Sequence, residues 1–212
     1  MILVPSHGPD DWKALLADPE TQWRKGYSAM SAAKSWEGAS GLPSEVAGVI
    51  GPGATLLLAI PEHKVPLPGG GRPSQCDVFA LVSTRRGSCA VAVEAKVAEP
   101  FGPTIGDWLK EASSGKRARL AAICDLLGCA QPPDQLRYQL FHRTAAAVVE
   151  ARRFGTAMAA MVVQSFSSDR LWHDDFLTFT AHLGMDATHG PAERNLPDGR
   201  PLRLGWATSP LP

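Results

Sequence analysis

The chain reads as a single α/β domain, a mixed central sheet of about four to five strands covered by helices on both sides. Three observations predict it. The stretch from Gln75 to Ala98 forms two apolar arms around a polar turn. QPPDQLRYQLFHRTAAAVVEARRFG runs twenty residues without a helix breaker, and the apolar TAMAAMVVQSFS follows it directly. A helix followed by a buried strand implies a crossover that returns to the sheet parallel to one hairpin arm.

The elements follow in chain order. Residues 1–50 form a helical N-terminal segment: DDWKALL, then WRKGYSAMSAAKSWEGA with Tyr27, Met30, Ala33 and Trp36 at helical spacing, then PSEVAGVIG with Ser44 as cap behind Pro43. TLLLAIPEHKVP, from Thr55 to Pro66, is a strand, and LPGGGRPSQ is the loop leading out of it. Gly69-Gly70-Gly71 lacks the G-K-[ST] of a phosphate-binding loop, so a hairpin connection is the better reading. Pro100 and Pro103 end the second hairpin arm. Thr104 caps the helix GDWLKEA, and Lys116 to Leu127 is a second helix closed by Gly128. Asp134, behind Pro132-Pro133, is the predicted cap of the long helix, which Gly155 ends. A strand to residue 167 completes a core over residues 55–167. HDDFLTFTAHLG as a helix and LRLGWAT as a short edge strand fill residues 168–212.

The hairpin carries the candidate chemistry. With the turn centred on Arg86-Gly87, Asp77 faces Lys96 and Phe79 faces Glu94. Opposed residues, and those two apart on a strand, share a sheet face. Asp77, Glu94 and Lys96 therefore converge beside Phe79, Leu81, Ala90 and Ala92. The opposite face, Val78, Ala80, Val82, Val91, Val93, Ala95 and Val97, is also apolar, as expected of an internal hairpin. Two carboxylates and an ammonium in such a place are costly unless they serve each other or a metal.

Asp77, followed 17 residues on by Glu94-Ala95-Lys96, resembles the core motif of the PD-(D/E)XK nuclease superfamily, the restriction-endonuclease-like enzymes. Cys76 stands where that motif has Pro. The order of elements over residues 43–167 is similar to the superfamily's core as well. The resemblance implies a restriction-endonuclease-like fold and hydrolysis of phosphodiester bonds in nucleic acid, DNA in the first place. Asp77, Glu94 and the backbone carbonyl of Ala95 would hold Mg²⁺ or Mn²⁺, and Lys96 would contact the attacking water and the phosphate. It further implies a helix acid ahead of the first strand, with Glu45 the best match and Glu37 the second. On the long helix, Gln139 and Arg143 would orient phosphate. Glu62, Lys64, Ser74 and Gln75 stand close enough in sequence to support the site, and Glu99 could reach the metal through water. Many such enzymes act as homodimers that cut both strands.

Composition sets the remaining bounds. Apolar content of 44% and charged content of 20% fit a soluble globular chain, with no apolar run of transmembrane length and no basic leader, so a cytoplasmic protein without a membrane partner is expected. Cys76, Cys89, Cys124 and Cys129 form no C-x-x-C pair and read as buried thiols rather than a zinc site or disulfides. His173, His182 and His189 are too dispersed for a ligand set. Twenty-one basic and 21 acidic residues cancel, but residues 110–153 carry eight Lys/Arg against four acids, a basic middle that suits a phosphate-facing surface. Two rival readings remain: a catalytically inactive nuclease-fold binding or assembly module, and a phosphohydrolase of small molecules.

Overall fold

The computed structural model describes residues 6–111 and 113–212. The first five residues of the predicted N-terminal segment, and Ala112 at the end of GDWLKEA, lie outside them. The remaining N-terminal segment is helical as expected: a 3-10 turn over Pro9–Leu15, then α1 (Pro19–Gln22), α2 (Ser28–Gly38) and α3 (Ser44–Ile50). Helix α2 buries Ala33 and Trp36 but leaves Tyr27 exposed. Ser44 is the first residue of α3 and makes no capping hydrogen bond.

Among the described residues the sheet has six strands rather than four to five: β1 (Thr55–Val65), β2 (Ser74–Thr84), β3 (Gly87–Lys96), β4 (Met158–Ser165), β5 (Ala192–Asn195) and β6 (Pro201–Thr208). Their order is β1-β2-β3-β4-β6-β5. β4 runs parallel to β3, as the crossover predicts, and β6 runs parallel to β4. LRLGWAT is therefore not an edge strand. Leu202 and Leu204 are fully buried, and the short antiparallel β5, which the sequence reading did not foresee, covers the outer side.

Between β3 and β4 lie α4 (Ile105–Leu109), α5 (Ser114–Leu127) and α6 (Tyr138–Arg153), and α7 (His173–His182) follows β4. Helix α6 starts four residues after Asp134. The segment ahead of it is held by the chain entering α4 instead: Ile105 N donates to Leu136 O at 2.7 Å, Gly106 N to Asp134 O at 3.0 Å, and Tyr138 N to Pro103 O at 3.2 Å. Thr104 caps α4 as expected, accepting from Asp107 N at 3.1 Å.

Every residue of β4 is buried, so its alternation supplies two cores. Ala159, Met161 and Val163 pack with Phe79, Ala90 and Ala92 beneath α5, α6 and α7. Met158, Ala160 and Val162 pack with Val78, Ala80, Val91 and Val93 beneath α2, α3 and Trp12. Both faces of the hairpin are thus covered, which is why its arms can be apolar throughout. Cys76, Cys89 and Cys124 are buried thiols, Cys129 is half-buried, and all four are free.

Candidate active site

The β2–β3 loop is Arg85-Arg86, with Thr84 opposite Gly87 and Val78 opposite Val93. The turn thus falls one residue earlier than expected, and every pairing moves by two. Continued, this register sets Asp77 opposite Glu94 instead of Lys96. Gly87, expected in the polar turn, is instead the first residue of β3, at a φ of +107° that suits glycine. A shift of two leaves each side chain on its predicted face.

Asp77 leaves the ladder on both sides. The β1–β2 pairing passes from Pro61–Val78 to His63–Cys76, skipping Glu62 and Asp77, and the β2–β3 pairing ends at Val78–Val93. Glu62 has φ +53°, a left-handed conformation that is strained for a residue with a side chain. Asp77 Oδ2 accepts from the Ala95 N–H at 2.6 Å and so stands in for a ladder carbonyl. This ties the two strands together beyond their last backbone pair and fixes Asp77 beside the end of β3.

Glu94 is the hub. It is 1% exposed, with Lys96 at 5% and Arg143 at 7%. Its Oε1 accepts from Lys96 Nζ at 2.6 Å and from Gln139 Nε2 at 2.7 Å, while Oε2 accepts from Arg143 Nε. Gln139 and Arg143 lie four residues apart on α6, one turn above the other and facing the same strand. Arg143 Nη1 also donates to Ser74 Oγ at 3.0 Å, and that hydroxyl lies 2.8 Å from His142 Nδ1. Lys96 Nζ sits 5.4 Å from the centre of the Phe101 ring. Among the described residues, the buried Gln139 Oε1 has no hydrogen-bond partner.

The electrostatics divide the carboxylates. Burial opposes the charge on Glu94, but the Arg143 guanidinium and the Lys96 ammonium more than offset it and hold its pKa at about 2. Burial and the neighbouring Glu94 charge push Asp77 up to about 7. Burial, then Asp77, push Glu62 up to about 8, although Gln75 Nε2 donates to its Oε2 at 2.7 Å. Burial and the adjacent Arg143 charge lower His142 to about 3, so its imidazole stays neutral.

The structure thus brings together Asp77, Glu94, Ala95, Lys96, Gln139 and Arg143, with Glu62 and Gln75 alongside. It sends the other candidates elsewhere. Glu45 is on α3, across the sheet. Glu37 accepts from Trp12 Nε1 at 2.7 Å, and Lys64 is exposed. Glu99 accepts from the amides of Ser28 at 2.8 Å and of Val97 and Ala98 at 3.0 Å, which makes it an anchor between the start of α2 and the end of β3. His142, next to Arg143 on α6, is a site neighbour that the sequence reading did not single out. Its contact with Ser74 joins residues 68 positions apart and has no local signal.

Among the described residues no three His, Cys, Asp or Glu side chains stand together as a metal cage. A hard divalent cation held by one or two carboxylates and otherwise hydrated would need no such cage. All the donors are oxygens, and burial is the main reason that the Asp77 and Glu62 carboxyls titrate high, a cost that such an ion would offset.

The chain belongs to the family described as Domain of unknown function (DUF6946), whose model matches residues 5–211. Searches of the curated proteins and of the solved structures found no match.

Proposed function

We propose that this chain is a divalent-metal-dependent nuclease that hydrolyses phosphodiester bonds, with DNA as the first substrate to test, on a restriction-endonuclease-like core. The observation that carries the reading is the buried Glu94 at the end of β3, bracketed by Lys96 from its own strand and by Gln139 and Arg143 from α6, with Asp77 beside it on the adjacent strand. A purely structural ion pair needs neither a third cationic or amide partner nor a second carboxylate brought in by breaking two ladders.

Each group has work it is suited to. Mg²⁺ or Mn²⁺, held by Asp77 and Glu94 with the Ala95 carbonyl, would neutralise charge on the phosphate and ease deprotonation of the attacking water. Lys96 carries a compact charge on rotatable donors and can turn from Glu94 to a phosphate oxygen. Arg143 is fixed by Glu94 and Ser74, so it supplies a stationary positive field to a phosphate rather than a mobile contact. Asp77 keeps its Oδ2 on the Ala95 amide, which fixes the carboxylate at the end of β3 and leaves Oδ1 to face the metal.

One observation favours a second reading, a nuclease-fold binding module without catalysis: both Glu94 oxygens are already taken by protein donors. A plasmid-nicking assay with Mg²⁺ and Mn²⁺ decides between them. Wild type should nick, and Lys96→Ala, checked for retained fold by circular dichroism, should not. Equal nicking by both would remove Lys96 from the mechanism. Binding of DNA without nicking in either metal would favour the module.

A further inference from the structure

A cavity of about 580 Å³ opens next to the Glu94 network, and none of the groups proposed for hydrolysis lines it. That volume lies in the range of small-ligand sites. Ser74 and His142 are shared by its wall and the network that fixes Arg143. Its charge is one-sided. Arg72, Lys116 and Arg119 line it, and among the described residues no Asp or Glu does. Arg119 Nη1 donates to the Arg72 carbonyl at 2.6 Å, which holds two of these cations side by side, and the buried Tyr138 hydroxyl neighbours Arg119. In a chain of net charge zero, three cations facing one concavity point to an anion.

The same cavity has an aromatic side. Trp108 stacks on Tyr138 with ring centres 3.8 Å apart and 12° between planes, and Tyr138 tilts against His142 at 4.9 Å. Lys116 Nζ is tied to the Trp108 carbonyl at 2.9 Å, which places an ammonium at the border of the aromatic surface. The loop Gly69-Gly70-Gly71 also lines the cavity, with φ between +76° and +85°, and is pressed so closely onto α5 that a Cβ at Gly69 would lie 2.5 Å from Arg119 Cα. Without side chains there, the loop leaves the space open.

We infer that this cavity binds one nucleotide unit, its phosphate among Lys116, Arg119 and Arg72 and its base against the Trp108–Tyr138 surface. Cations alone would suit any phosphate, and stacked rings alone would suit any planar ligand. Together, in one cavity, they select a phosphorylated aromatic compound. The unit could be a free nucleoside monophosphate or a residue of a polynucleotide strand whose neighbouring phosphodiester lies at Glu94. The inference rests on the nuclease reading only for that origin.

Binding measured without metal separates the two ideas. The full chain is titrated with deoxyadenosine, deoxyadenosine monophosphate, inorganic phosphate and a short single-stranded oligonucleotide, by calorimetry and by amide chemical shifts. The monophosphate or the oligonucleotide should bind at least about tenfold more tightly than deoxyadenosine or inorganic phosphate, with shifts at Trp108, Lys116 and His142. Tight monophosphate binding identifies a free nucleotide, and binding confined to the oligonucleotide identifies a strand. Lys116→Gln and Trp108→Leu should each weaken binding about tenfold, with melting temperature as the control for fold. The inference is overturned if no base-bearing phosphate binds, if inorganic phosphate binds as well as the monophosphate, or if Lys116→Gln binds like wild type. Nucleotide binding without nicking would retire the nuclease and keep the cavity site; nicking without nucleotide binding would do the reverse.

Discussion

Arg143, in the second turn of α6, closes an ion pair onto Glu94 of β3 in which both side chains are nearly free of solvent contact. Removing one partner of a buried pair leaves the other charge uncompensated, and the loss far exceeds what the pair itself contributes. Arg143→Ala should therefore lower unfolding free energy by about 3–5 kcal/mol. Arg143→Lys keeps the charge but cannot bond Glu94 and Ser74 at once, and should recover only part of it. Urea denaturation measures both. A loss under about 1 kcal/mol for Arg143→Ala would mean that Lys96 and Gln139 hold the Glu94 charge without it.

The raised carboxylates give stability a pH dependence with a definite sign. Asp77 moves from an ordinary 3.8 to about 7 on folding, and Glu62 from 4.5 to about 8. Across that window the native state binds more protons than the unfolded chain, so their contribution to stability is lost as pH rises from about 4 to about 8. Glu94 acts in the other direction. Its pKa falls from 4.5 to about 2, so its contribution is present above about pH 4.5 and is lost as pH drops towards 2. Asp77→Asn keeps an oxygen for the Ala95 amide and removes the charge. Its melting temperature should match wild type near pH 4 and exceed it increasingly up to pH 8, while nicking is abolished. A constant gap across that range would place the Asp77 pKa near its ordinary value.

Strand parity was legible in the sequence because it survives error. The alternation of Asp77, Phe79 and Leu81 against Ala90, Ala92 and Glu94 assigns faces from spacing alone. A turn misplaced by one residue changes partners by two, so the convergence of the three charged groups held although Asp77 opposes Glu94 and not Lys96. Gln139 and Arg143 were legible for a similar reason, since four residues of helix return to the same face. What local pattern could not supply was pairing at long range. Asp134 looks like a helix cap, but the backbone of residues 103–106 engages the segment and delays the helix to Tyr138. β6 reads as an edge because nothing within LRLGWAT announces β5, four residues that exist only by pairing with it. Glu45 and Glu99 were both carboxylates at plausible distances in sequence, and only the layering of the fold separates them from the site.

The glycine loop offers a test of how the cavity wall is built. Gly69 has φ +85°, and an added Cβ would meet the backbone of Arg119 at 2.5 to 2.6 Å, which no side-chain rotation relieves. Gly70, at φ +76°, has nothing within 4 Å of the same position. Both substitutions to Ala strain the backbone by roughly 1–2 kcal/mol, but only Gly69→Ala must also push the loop off α5. Gly69→Ala should thus cost clearly more stability than Gly70→Ala and should alter amide shifts along α5. Equal losses from the two would mean that the loop does not rest on α5.

Glu99 provides the contrast between a carboxylate that holds the fold and those that form the site. Its oxygens collect the amides of Ser28, Val97 and Ala98, joining the first turn of α2 to the chain leaving β3. Burial would raise its pKa, but the Ser28 amide and the local amides outweigh that and keep it low. Its contribution is accordingly present above the ordinary glutamate range and is lost as pH falls through that range. Glu99→Ala strands these donors at a helix start and should cost about 1–2 kcal/mol, the scale of a lost cap. Nicking per folded molecule should stay within about twofold of wild type, because the energy removed is not part of the barrier to hydrolysis. Glu62→Gln should behave in the opposite way. It removes a carboxyl that burial and the Asp77 charge hold protonated up to about pH 8 and keeps a partner for Gln75, so the fold should gain stability as pH rises through 8, while nicking changes because the carboxyl beside Asp77 is gone. Urea melts and nicking rates on the two variants, read side by side at pH 6 and pH 8, check the division. A Glu99→Ala protein that melts like wild type yet fails to nick would put Glu99 into the reaction after all.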